Sequence, residues 1–326
     1  MKIYMIAGEA SGDLHGANLV KSILKKSPDS TIRCWGGEKM ESAGAELIKH
    51  YRDLAFMGFV EVLLHIRTIL RNISFCKKDI EAFQPDVLVL IDYPGFNMRI
   101  AEWAKSKGIR VVYYISPQIW AWKQGRVHKI KATVDDMCVV LPFEEDFYKK
   151  FDYPVHFVGH PLLDEIQNRE SRERINTIAL LPGSRKQEIS AMLPIMLEAS
   201  KKFKEFDIVV AGAPGQNEAF YQPFLNGFNA RIEFGKTYEI LQTSKIGLIT
   251  SGTATLESGL FKLPQVVCYK GSGISVWIAK KIVKIKYISL VNLILDKPAV
   301  LELIQEELTV SNLHKEMDAL LEQCSA

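Results

Sequence analysis

The sequence predicts two α/β domains, each a parallel sheet wrapped by helices. Three observations predict it. Short apolar, β-branched runs alternate with helical patterns along the whole chain. A charge-dense stretch with few apolar residues, Asp164–Asn176, interrupts that alternation near the middle, as a linker would. A chain of 326 residues is long for one domain and suits two of about 160 each, so the domains are placed at 1–165 and 166–326.

In the first half, Ile3–Ala7, Thr31–Trp35, Asp86–Ile91, Arg110–Ile115 and Met137–Leu141 read as strands. Helical spacing runs over His15–Lys25, Val60–Phe83, Asn97–Lys107 and Phe143–Phe151. In the second half the strands are Thr177–Leu181, Asp207–Ala211, Arg231–Phe234, Ile246–Thr250 and Gln265–Tyr269. The helices there are Glu188–Lys204, Gln216–Leu225, Tyr238–Thr243, Thr253–Phe261 and Val276–Lys284. Two such halves place a cleft between them, and ligands of parallel sheets gather at the carboxyl ends of strands.

Composition narrows the function classes. Hydrophobic content of 48% with 24% charged residues describes a globular protein with apolar mass for two cores. A net charge of +3 is too small to argue for a nucleic-acid partner. The five cysteines are scattered, with no Cys-x-x-Cys pair, so neither a zinc site nor a disulfide framework is suggested and a reducing cytoplasm is expected. The apolar start of the chain stops at Gly8 and Glu9, too short for a secretion signal, and no apolar run is long enough to span a membrane.

The strand-end loops carry the candidate chemistry. Leu248–Gly259 reads strand, small-residue turn, helix, which aims backbone N–H groups at an anion. Ser251 and Thr253 add hydroxyls, Gly252 allows close approach, and Glu257 shares the helix face of Thr253, where a carboxylate suits ribose hydroxyls. A well-capped helix after a buried strand would look the same. Leu181–Glu188 repeats the pattern with Arg185 in the turn, a guanidinium able to neutralise a diphosphate. A cation there opposes the helix dipole, which favours a ligand over a merely structural role.

In the first half, Gly8–Gly16 is neither G-x-G-x-x-G nor a P-loop, so a nicotinamide, a flavin or a Walker-type phosphate site is disfavoured. Glu9 and Asp13 could bind sugar hydroxyls, or Asp13 could cap the helix. Asp92 ends the apolar strand Val87–Ile91. A carboxylate there is partly desolvated and could act as a general base, or could simply cap the turn at Pro94 and Gly95. Ser116–Trp122 places two of the five tryptophans after a strand, which reads as an aromatic plug in the core. Lys123, Arg126, His128, Lys129 and Lys131 follow, a run that could meet phosphate or form a solvated helix face. Phe56–Leu64 and the lysine-rich Val276–Lys286 read either as packed amphipathic helices or as lipid-facing surfaces.

Nine segments, in order, resemble the lipid-A-disaccharide synthase family of glycosyltransferases. They are Gly8–Asp13, Met57–Val62, Ile91–Asn97, Ser116–Trp122, Leu141–Glu144, Gly159–His160, Leu180–Arg185, Ser251–Glu257 and Tyr287–Asn292. The resemblance implies two Rossmann-like domains facing a central cleft, the B-type glycosyltransferase (GT-B) fold. It implies transfer of a diacylglucosamine from UDP-2,3-diacylglucosamine to the 6-hydroxyl of 2,3-diacylglucosamine 1-phosphate (lipid X), with inversion and release of UDP. By resemblance Asp92 is the base. Arg185, Ser251, Gly252, Thr253, Glu257 and Asn292 are the UDP side, and Glu9 and Ser11 the sugar side. No metal and no separate cofactor is expected, because helix N-termini and arginine can carry the leaving charge.

The implied setting is the inner face of the cytoplasmic membrane, touched peripherally, with a homodimer as a candidate assembly. The competing expectations are a non-catalytic nucleotide-sugar-binding relative and another GT-B enzyme, such as a UDP-sugar epimerase. Asp92 and Arg185 count against the first, and Met57–Val62 and Ser116–Trp122 against the second. One departure is visible: family members carry further helical sequence after the part aligned to Glu307, where this chain shows a single short candidate helix, Leu313–Gln323.

Overall fold

The structure is a computed structural model that describes residues 1–53, 66–122, 124–167, 169–170, 172–271 and 286–325. Phe56–Leu64 and nearly all of Val276–Lys286 therefore lie outside the described residues. The chain divides into two compact units, Met1–Pro161 and Leu162–Ala326. The division falls a few residues before the expected 165/166 because Leu162–Gln167 is helical and packs on a helix of the second unit. The expected linker is also partly built in: the Arg174 guanidinium donates to the carbonyls of Leu241, Ser244 and Phe261, and the Ile175 N–H to that of Thr243.

In the first unit, β1 (Lys2–Ala7), β2 (Thr31–Gly36), β3 (Glu46–His50), β4 (Val87–Ile91), β5 (Arg110–Tyr114), β6 (Asp136–Val139) and β7 (His156–Phe157) form one sheet. Its order is β3-β2-β1-β4-β5-β6-β7, with every pairing parallel. The helices are α1 (Ala10–Lys26), α2 (Glu38–Ser42), α3 (Ile66–Phe83), α4 (Pro94–Ser106), α5 (Arg126–Thr133) and α6 (Phe143–Lys149).

The second unit opens with α7 (Leu162–Gln167). Its strands are β8 (Thr177–Leu181), β9 (Asp207–Gly212), β10 (Ala230–Phe234), β11 (Ile246–Thr250), β12 (Gln265–Tyr269) and β13 (Leu301–Ile304). They run β10-β9-β8-β11-β12-β13, again all parallel. Its other helices are α8 (Lys186–Ser200), α9 (Glu218–Leu225), α10 (Thr237–Thr243), α11 (Thr253–Leu260), α12 (Leu290–Leu295) and α13 (Val310–Ser325).

Both sheets have the doubly wound order, in which the chain moves outward one way from the first strand and then returns to move the other way. The central strands β8 and β11 are buried at every residue, and β4 at all but its first. Strands covered on both faces are selected as unbroken apolar runs, which is why these were the clearest in the sequence. Each unit has its own core: Met5, Val20, Val89 and Ile91 in the first, and Leu180, Leu193, Val210 and Leu248 in the second. α13 places Leu313 and Met317 in that second core and packs along α8.

The two switch points lie between β1 and β4 and between β8 and β11. At the first, Ala7 pairs with Ile91, so the chain leaves the sheet at Gly8 and at Asp92 side by side. At the second, Leu181 pairs with Ile249, bringing the turns that hold Arg185 and Ser251 together.

Several expectations are corrected. α1 begins at Ala10, so Gly8–Gly16 is a two-residue turn followed by helix rather than a long loop. Pro94 and Gly95 form the first turn of α4 rather than a loop. β3, β7 and β13 went unread because they are sheet-edge strands, only partly buried, and so are not unbroken apolar runs.

Candidate active site

At the first switch point Gly8 allows the close approach. A Cβ there would lie 2.3 Å from atoms of the Tyr93 ring, which rests on the Gly8 backbone. Asp92 and Tyr93 both have left-handed backbones, with φ of 43° and 48°. Each costs about 1–2 kcal/mol in a non-glycine residue, so the surroundings must hold the turn. The Asp92 carbonyl accepts from the Asn97 amide at 2.7 Å and from the Tyr113 hydroxyl at 2.6 Å. The Asp92 N–H donates to the Tyr114 carbonyl at 3.2 Å. Asn97 is fully buried and also donates to the Ile91 carbonyl at 3.2 Å.

This frame fixes the backbone and leaves the Asp92 carboxyl to its environment. Burial pushes its pKa up to about 6, with the charge of Glu9 adding to the rise and a hydrogen bond from the Tyr93 N–H opposing it. The same burial and the same Glu9 raise the Tyr93 hydroxyl. A carboxylate in this range is a stronger base than a solvated aspartate and still mostly ionised at neutral pH.

Glu9 is the N-cap residue of α1, and Ser11 is exposed in its first turn. Asp13 is different. It is 2% exposed, and its carboxylate accepts from the N–H groups of Gly37, Lys39 and Met40 at 2.7, 3.2 and 3.1 Å. It caps α2 from a distance, so neither the sugar-binding nor the own-helix-cap reading holds.

The loop after β5 starts beside Asp92 and is fixed from beneath. Ser116 shares a 2.7 Å hydrogen bond with the Tyr148 hydroxyl. The Glu144 carboxylate accepts from the Val140 and Leu141 N–H groups at 3.1 and 2.9 Å. Burial raises Glu144 to about 7 despite those donors. Trp120 is buried against Phe143, whereas Trp122 is 40% exposed, so only one of the two tryptophans plugs the core.

At the second switch point Gly183 has φ of 107°, and a Cβ there would meet the Glu188 carboxylate at 2.8 Å. Glu188 accepts from the N–H groups of Ser184 and Arg185 at 3.2 and 3.3 Å and pairs with the Arg185 guanidinium at 2.9 Å. Arg185 is exposed. The opposed-dipole argument for it weakens, because Glu188 supplies the countercharge within the same turn.

Gly252 is the N-cap residue of α11, with φ of 150° and nothing crowding a Cβ position. Thr253 is exposed. Ser251 is committed: its N–H donates to the Cys268 carbonyl at 3.1 Å and its hydroxyl to the Ile288 carbonyl at 2.9 Å. Glu257 accepts from the Tyr238 hydroxyl at 3.2 Å and is raised by burial, against that hydrogen bond.

Asn292 does not present its side chain to a ligand. It is 1% exposed, its amide donates to the Val300 carbonyl and the Glu302 carboxylate at 2.8 and 2.9 Å, and its oxygen accepts from the Val300 N–H at 2.9 Å. Glu302 also accepts from the N–H groups of Ile288 and Ser289 at 3.0 and 2.9 Å. Asn292 and Glu302 thus hold the segment that anchors Ser251.

The sequence profile described as Lipid-A-disaccharide synthetase matches residues 3–325. The chain belongs to this family. Relatives agree: the lipid-A-disaccharide synthase of Geobacter metallireducens is 37% identical over 98% of this chain and 88% of its own length. That of Syntrophus aciditrophicus is 38% identical with the same coverage. Among solved structures, the UDP-GlcNAc 2-epimerase of Neisseria meningitidis bound to UDP-GlcNAc superposes with a TM-score of 0.61 over 99% of this chain and 100% of that one. Its 15% identity carries the fold alone, two parallel-sheet α/β domains of the GT-B kind.

Family membership makes the chain a glycosyltransferase, and the structure adds residues that the sequence did not single out. Tyr93 and Asn97 stood inside a quoted segment without a role. Tyr113 read as a core strand residue, and its hydroxyl bond to Asp92 leaves no local pattern. Tyr238 and Glu302 are 19 and 10 residues from their partners Glu257 and Asn292, spacings that only the fold closes.

Proposed function

We propose that the chain joins UDP-2,3-diacylglucosamine to 2,3-diacylglucosamine 1-phosphate, forming the β-1,6-linked disaccharide 1-phosphate and UDP. The observation that carries the chemistry is the Asp92 carboxyl, desolvated and raised to about 6 at the carboxyl end of β4. In the proposed step Asp92 takes the proton of the acceptor 6-hydroxyl as that oxygen attacks the donor anomeric carbon. The bond from that carbon to the diphosphate breaks, its electron pair leaves with UDP, and the configuration inverts.

The donor side is assigned to the second unit. The Gly252–Thr253 start of α11 offers N–H groups and an exposed hydroxyl to the diphosphate. Arg185 exchanges its surface pairing with Glu188 for the leaving charge. Glu257, oriented by Tyr238, is suited to the ribose hydroxyls, and Ser251 and Asn292 act by positioning. Glu9 and Ser11 are assigned to the sugar side.

Among the described residues no helix is long and apolar enough to cross a membrane. We extend the reading to peripheral contact with the inner face of the cytoplasmic membrane, supported by the acylated substrates and by the apolar and lysine-rich composition of Phe56–Leu64 and Val276–Lys286.

The test is a pair of variants. Asp92→Ala should bind UDP with wild-type affinity in calorimetry and lose turnover. Arg185→Ala should weaken UDP binding roughly 10- to 100-fold, as loss of a charge-assisted contact implies. Substantial turnover by Asp92→Ala would remove Asp92 from the base role.

A further inference from the structure

The basic run after the Ser116–Trp122 loop separates residue by residue. Lys129 pairs with Glu102 at 2.7 Å, Lys131 donates to the Phe151 carbonyl at 3.1 Å, and His128 packs edge-on against Phe151. Those three are accounted for by the fold. Arg126 is exposed and has no carboxylate partner among the described residues. Its guanidinium instead lies over the Trp122 ring, 5.3 Å from the ring centre.

The place matters as much as the exposure. β5 pairs with β4, Ile91 opposite Tyr114, so the loop leaves the sheet beside Asp92. The Tyr113 hydroxyl that holds the Asp92 carbonyl is raised by its burial and by Asp92, and the charge of Arg126 offsets part of that rise. Arg126 is therefore near enough to act electrostatically on the frame of the candidate base. The support is fixed: the Gln124 amide donates to the Trp120 carbonyl at 3.1 Å and the Val127 N–H to the Gln124 carbonyl at 3.0 Å. A guanidinium held over an indole face is steadied by the ring while its outer N–H groups remain for an anion.

We infer that Arg126, held over Trp122 after the loop that leaves the sheet next to Asp92, binds the phosphate of the acceptor sugar. The inference rests on the proposed reaction, whose acceptor carries a phosphomonoester and whose base is Asp92. A planar N–H edge suits a dianionic phosphate better than a lysine does, because it donates two parallel hydrogen bonds. Arg126 is then a specificity residue: it selects a phosphorylated acceptor and takes no part in the proton transfer.

The experiment has two arms. Initial rates are measured for wild type, Arg126→Lys and Arg126→Ala, with diacylglucosamine 1-phosphate and with the same lipid lacking the phosphate. Binding of glucosamine 1-phosphate and of glucosamine is followed separately by NMR titration, which needs no turnover. Arg126→Ala should raise the KM for the phosphorylated acceptor roughly 10- to 100-fold, leave the donor KM in place, and narrow the preference for phosphate. Arg126→Lys should fall between.

In the binding arm the wild type should prefer glucosamine 1-phosphate, and Arg126→Ala should lose that preference. An equal loss toward both acceptors, or an unchanged phosphate preference in the titration, overturns the assignment. A wild type that binds glucosamine 1-phosphate through Arg126 and transfers nothing would instead contradict the proposed reaction and leave the phosphate site standing.

Discussion

Asp92 combines two costs at one residue, a left-handed backbone and a desolvated carboxyl, and both are expected where a fold gives up stability for reactivity. A carboxyl whose folded pKa is raised, here to about 6 from 3.8, binds its proton more tightly folded than unfolded. Its contribution is therefore complete below the unfolded value and is lost as pH rises through about 6. Asp92→Asn should accordingly be more stable than wild type at pH 8, by up to about 3 kcal/mol, and no more stable at pH 4, measured by urea denaturation at both values. Turnover by the wild type should rise with pH around 6, since the base must be ionised. A flat profile between pH 5 and 8, with chemistry rate-limiting, would contradict the assignment. Gly8 makes a steric prediction at the same scale. A methyl group 2.3 Å from the Tyr93 ring must displace it, so Gly8→Ala should cost about 1–3 kcal/mol and lower turnover while sparing UDP affinity.

Among the elements, helix starts do the positioning, and their sources differ in how well sequence shows them. The strand–turn–helix units β8–α8 and β11–α11 were legible because buried strands are continuous apolar runs and their turns are small residues. The opening of α1 was misread, because Gly12 and Asp13 look like a loop. Asp13 instead leaves its own helix to cap α2, 24 residues on at its nearest bond. The support of α12 was out of reach too, since Glu302 lies on β13, a half-exposed edge strand without an unbroken apolar run. Removing that support should act at a distance. Glu302→Ala deletes the acceptor for two N–H groups and the Asn292 amide, and with it the anchor of the Ile288 carbonyl that receives Ser251. It should cost about 1–3 kcal/mol in denaturation and weaken UDP binding in calorimetry, although Glu302 is assigned no contact with UDP. Unchanged UDP affinity in a destabilised variant would separate α12 from the donor site.

For the molecule as a whole, alternation and length were enough to read two parallel-sheet units, and strand order then followed the doubly wound rule in both. The division itself was read slightly late, because charge density in Asp164–Asn176 marks a surface as well as a linker, and Arg174 is spent on three carbonyls of the second unit. Physical reading of the strand ends supplied a nucleotide-type turn and a candidate base. It could not supply acylated sugars, because acyl chains leave only apolar surface, which core helices share. That knowledge came through resemblance, and the family match over residues 3–325 now supports it. The most direct measurement is UDP release from UDP-2,3-diacylglucosamine with and without 2,3-diacylglucosamine 1-phosphate. Release should depend on the acceptor and disappear in Asp92→Ala. Saturable UDP binding with no acceptor-dependent release from the wild type would contradict it.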